Sequence, residues 1–138
     1  MTLKKQIIHL HHIATHFTNG LFPVSSVLLT MFLINNDPTF ESASFYCLVF
    51  GTCAIPIAYA TGFYDWRTRF QGRRTQIFDH KSVLGVIFFV VAIGEIVLRT
   101  MDIQIMFGQT GIKWIFVGIN YLLTGCAGYL GYLGGKFI

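Results

Sequence analysis

Charge is scarce in this chain. Only 12% of its 138 residues are Asp, Glu, Lys or Arg, where a soluble domain carries about 25%. That shortage, with 54% hydrophobic residues and a mean hydropathy of +0.60, excludes an ordinary soluble domain and points to a membrane protein. Acidic residues number six, too few to favour hydrolytic zinc chemistry. Cysteines number three, with no Cys-x-x-Cys, which argues against a dithiol redox pair, a Cys-rich zinc or iron–sulfur site and covalently attached c-type haem. Cys47, Cys53 and Cys126 fall in apolar runs and read as small apolar residues. The chain also lacks a domain boundary, a low-complexity tract and a convincing internal repeat, so residues 1–138 read as a single transmembrane domain.

What is present is long apolar runs. A spanning helix takes about 20 mostly apolar residues, and four stretches qualify, at approximately 12–34, 43–64, 82–101 and 112–135. Short connections between them predict sequential antiparallel neighbours. The expected fold is therefore all-α: a four-transmembrane-helix, up-down-up-down bundle.

Lys4, Lys5, Arg67, Arg69, Arg73, Arg74, Lys81 and Lys136 lie at the termini or near the second connection, eight of the ten basic residues. Positive charge is retained on the cytoplasmic side, so both termini and this loop are expected there, in a prokaryotic inner membrane. The net charge of +4 is thereby assigned to topology and anionic headgroups rather than to nucleic acid. The first run is long, carries histidines and has no small-residue cleavage site before Asn35, so it is expected to remain in the mature protein.

Four of the five histidines, His9, His11, His12 and His16, open the first helix, and His80 opens the third. At 100° per residue, His9, His12, His16, Asn19, Gly20, Pro23 and Thr30 form one stripe, with His11 off it. Imidazoles from two helices at one leaflet suit the axial ligands of a b-type haem. On this reading His16 and His80 hold the iron, with His12 or His11 nearby. Gly20, Gly62 and Gly85 let a flat ring approach the backbone, and Arg67, Arg69, Arg73 or Arg74 pair with its propionates. The function that follows is electron transfer, as a subunit of a membrane redox complex or a homo-oligomer, with quinone as a possible partner and no stand-alone enzyme activity required. The alternatives are a cofactor-free structural or assembly subunit and a small histidine-based metal-binding membrane protein.

Glu95 and Arg99 stand four apart, the order that favours an intrahelical ion pair. Glu95 lies about 22 Å along the axis from His80, too far to share its centre. The fourth helix holds seven of the 14 glycines, including Gly131 and Gly135 in a G-x-x-x-G, a pattern for close helix approach. Pro56 is expected to kink the second helix, and Tyr59, Tyr64, Trp66 and Trp114 read as interfacial aromatics.

His11-x4-His16-Phe17, Thr61-Gly62-Phe63-Tyr64-Asp65-Trp66, His80 and Gly134-Gly135, in that order, resemble a family of bacterial and archaeal four-helix membrane proteins known as a domain of unknown function. The resemblance spans almost the whole chain. It implies the same four-helix shape and selects His11, His16, Gly62, Asp65, Trp66, His80 and Gly135, without supplying an activity. The chain departs from the family where Pro is common, with His12 after His11 and Thr18 after Phe17. The resemblance thus pairs His11 with His16, whereas periodicity pairs His12 with His16. Asp65 is expected to cap the helix end or to support an imidazole.

Overall fold

A computed structural model describes residues 1–136. It contains four helices: α1 (Leu3–Asn35), α2 (Pro38–Arg69), α3 (Gln76–Met101) and α4 (Gly111–Gly135). Each is long and apolar enough to cross a membrane, and the protein is an integral membrane protein.

Each helix packs on its neighbours in sequence, and α4 closes the ring against α1. The backbones of α1 and α3 therefore stand apart on a diagonal. Phe22 and Phe88 bridge it, their ring centroids 4.7 Å apart, within a mid-bundle core that also contains Leu48, Ile55, Ala92, Leu123 and Ala127. Because lipid tails are as apolar as leucine, such packing is held by close fit and by hydrogen bonds between helices rather than by exclusion of water. The α1–α2 pair shows this close fit: a Cβ at Gly51 would stand 3.0 Å from the Phe22 ring.

The helices run past the apolar stretches that announce them. α1 begins at Leu3 rather than near 12, α2 continues to Arg69 rather than 64, and α3 begins at Gln76 rather than 82. Hydropathy registers only the residues that suit lipid, whereas polar turns continue a helix wherever no breaker intervenes. As a result, His80 lies one turn inside α3, and the α1 histidines lie two to four turns inside α1. Both internal prolines, Pro23 and Pro56, sit inside helices without ending them.

The first connection is only two residues long. Asn36 takes the left-handed conformation (φ 54°) that closes α1. Asp37 accepts the Thr39 N–H at 2.9 Å, with Pro38 at the first helical position, which defines the start of α2. That hydrogen bond holds the Asp37 carboxyl below its ordinary pKa. In the second connection, Trp66 stacks on Phe78, centroids 4.3 Å apart and planes within 10°. Trp66 Nε1 also donates to the Arg73 carbonyl at 2.8 Å. Trp66 thus closes the α2–α3 turn rather than acting as a free belt aromatic. The third connection tucks Ile105 and Met106 beneath Leu29, Phe32, Phe116 and Val117, sealing the end of the bundle away from the termini.

Candidate functional site

At the end bearing both termini, the site is built around His11. The α1 residues facing the bundle are His11, Ala14, Thr15, Thr18, Phe22, Ser25, Ser26 and Leu29, the three-to-four spacing of a single helical face. His11 lies on it, half-buried, whereas His9, His12 and His16 are exposed. The stripe read from the wheel is therefore turned away from α2, and the imidazole that the stripe excluded is the one facing inward.

His11 Nδ1 lies 2.9 Å from the Ala58 carbonyl oxygen and 3.2 Å from Thr61 Oγ1. A carbonyl only accepts, so Nδ1 carries the proton, and in the neutral ring Nε2 keeps its lone pair. Gly62 makes this contact possible: a Cβ there would stand 2.9 Å from His11 Cε1. Thr61 Oγ1 lies within 2.6 Å of the Ile57 carbonyl and 3.2 Å of the Ala58 carbonyl, so the small, backbone-anchored face of α2 forms a seat for the ring.

Asp65 and Lys81 bring charge close to His11 from α2 and α3. Asp65 pairs with Arg69 at 3.5 Å, but its Oδ1 is buried with no hydrogen-bond partner. It neither caps α2 nor bonds an imidazole directly. A Cβ at Gly134 would come within 3.1 Å of Lys81 Nζ, and one at Gly131 within 2.9 Å of Asn19 Nδ2. The polar side chains of α1 and α3 thus use these two glycines of α4 to approach its backbone.

The other sequence-derived candidates are less concentrated. His80 and His16 are exposed, with no hydrogen-bond partner among the described residues. Gly20 faces open space, while Gly85 has the Tyr59 ring 3.6 Å from its Cβ position. Arg67 in the last turn of α2 and Arg73 and Arg74 on the α2–α3 turn are exposed, and Arg69 is engaged with Asp65 and lies over the Phe70 ring. Among the described residues no three His, Cys, Asp or Glu side chains converge to hold a bare metal ion.

A second polar region lies toward the opposite end, and composition alone does not reveal its partners. Arg99 does not pair with Glu95. Its Nε and Nη2 reach both carboxylate oxygens of Glu41, Nη2 to Oε2 at 3.0 Å, because a planar guanidinium in apolar surroundings is best satisfied by a bidentate partner across the helix gap. Ser25, Ser26, Ser44, Asn120 and Thr124 form a buried hydrogen-bond network joining α1, α2 and α4. Its signal in the sequence is small polar residues at helical spacing inside apolar runs, with Asn120 and Thr124 one turn apart.

Residues 8–138 match the family model described as "Predicted membrane protein (DUF2231)". The chain belongs to that family. No curated protein and no solved structure matches it. Of the positions selected by the resemblance, His11, Gly62 and Asp65 converge at one end of the bundle, and Trp66 secures the adjoining turn.

Proposed function

We propose that the protein is a small membrane electron-transfer subunit that holds a b-type haem between α1 and α3 at the end carrying the termini. The observation that supports this reading is the orientation of His11. An imidazole whose Nδ1–H is fixed by a backbone carbonyl, with Nε2 left as a lone pair, is prepared as a ligand in the way that metal-bound histidines are. The Gly62 seat fits the same role, since it holds the ring in place without competing for Nε2.

His80 is the imidazole available from α3 at that end, and His16 is a second donor on α1; neither is committed to a partner in the fold. Farther into the membrane, Phe22 and Phe88 close the diagonal between α1 and α3 and give the site an apolar floor. Lys81, with Arg67 at the end of α2 and Arg73 and Arg74 on the adjoining turn, supplies cations for propionate groups. When bound, the haem supplies one-electron chemistry, exchanged with a quinone or with a partner subunit.

The test is haem content in purified variants. Replacing His11 or His80 with Ala is expected to abolish a bound haem or change its ligation, while His12→Ala leaves it intact. Loss on His16→Ala with retention in His11→Ala would move the α1 ligand to His16. Normal loading in all of these variants would refute the assignment.

A further inference from the structure

α3 carries a single acid deep in its apolar stretch. Glu95 is 1% exposed, and neither carboxylate oxygen has a hydrogen-bond partner. Its polar neighbour is Asn120 on α4, whose Nδ2 spends one of its two N–H groups on Ser25 Oγ at 3.2 Å while Oδ1 accepts from Ser26 Oγ at 2.7 Å.

The rest of the network is satisfied within itself. Thr124 Oγ1 donates to the Phe22 carbonyl at 2.9 Å, and Ser25 and Ser44 Oγ lie 3.0 Å apart, each also within reach of the other's carbonyl. Among the described residues, the helices packed around α3 offer no cation bonded to Glu95; Lys113, two turns from Asn120 on α4, lies over the Trp114 ring, 5.6 Å from its centroid. Arg99, one turn along α3, is held by Glu41 of α2. Tyr121 of α4 is bonded to Thr30, Tyr46 of α2 is exposed, and the α1 residues at this depth are Ser25, Ser26 and Thr30. Asp102, the remaining charge near Arg99, is itself acidic and exposed.

An isolated carboxylate without water or a counter-ion in an apolar interior is strongly disfavoured, and the group takes up a proton instead. We propose that Glu95 is a proton-binding site inside the membrane, occupied at neutral pH and bordered by the Asn120 amide, which ties it to the hydroxyl network of α1, α2 and α4. This inference does not depend on the haem reading, since the two regions lie at opposite ends of the bundle.

Dicyclohexylcarbodiimide, an apolar reagent that captures protonated carboxyl groups, tests it on the detergent-purified full chain. The acid O–H adds across one C=N bond: the carboxyl oxygen bonds to the central carbon and the proton moves to nitrogen. The resulting O-acylisourea rearranges to an N-acylurea of the same mass, and no other reactant is needed. Mass spectrometry should place the adduct on Glu95 and not on ion-paired Glu41, with labelling falling at least tenfold in alkaline buffer and unchanged when sodium replaces choline. Infrared spectra of the unlabelled protein should show a neutral-acid C=O band that shifts in Glu95→Asp and disappears in Glu95→Gln. Absence of that band at neutral pH would overturn the proposal, as would protection of Glu95 by sodium, which would make it a metal-cation site.

Discussion

At the residue scale, the geometry assigns costs to single groups. Arg99 and Glu41 are almost fully withdrawn from solvent, with side-chain exposures of 12% and 3%. Removing one partner leaves the other charge unpaired, so Arg99→Ala or Glu41→Ala should destabilise the bundle by about 3–5 kcal/mol. The double replacement with apolar residues should recover most of that loss. A double-mutant cycle in mixed-micelle unfolding measures both. Gly62→Ala forces a Cβ against a ring anchored to the Ala58 carbonyl, and overpacking of this kind costs about 1–3 kcal/mol. It is also expected to displace His11 and so lower haem content, whereas Gly20→Ala, in open space, should do neither.

At the scale of elements, the four spans and their order follow directly from the apolar runs, because in a chain this poor in charge only membrane helices satisfy the backbone. Which face of each helix turns inward is less legible. In soluble proteins apolar residues mark the buried face, but here both lipid and core are apolar. The polar stripe on α1 therefore does not mark the buried face: His9, His12 and His16 are exposed. The inward face is marked instead by small residues, Ala14, Thr18, Ser25 and Ser26. The Glu95–Arg99 spacing favours an intrahelical pair that the fold does not form, since an i,i+4 pair competes with partners on other helices that sequence distance does not reveal. Glu41, the partner Arg99 takes, is 58 residues away. The α2–α3 turn carries its own expectation. Trp66→Ala removes both the stack on Phe78 and the hydrogen bond to Arg73, so limited proteolysis should cut between Arg69 and Thr75 much faster than in the parent. Trp66→Phe, which keeps the stack, should be intermediate.

At the scale of the whole molecule, the bundle has two unlike ends. One gathers both termini, the α2–α3 turn, most of the basic residues and the His11 seat; the other holds the Arg99–Glu41 pair and the sealed third connection. Charge asymmetry of this kind predicts that reporters fused at residue 1 and in the α2–α3 turn are active only in cytoplasmic form, and that one placed at Asn36 is active only outside. The reverse pattern would move the proposed haem site to the outer leaflet.

The most direct test of the haem reading is an absorption spectrum of the purified protein, oxidised and then reduced with dithionite, with pyridine haemochrome quantification on the same sample. Sharp reduced α and β bands and close to one haem b per chain are expected. A protein that stays colourless after reconstitution with haem would contradict the haem reading and leave the histidine end of the bundle to packing or assembly with a partner.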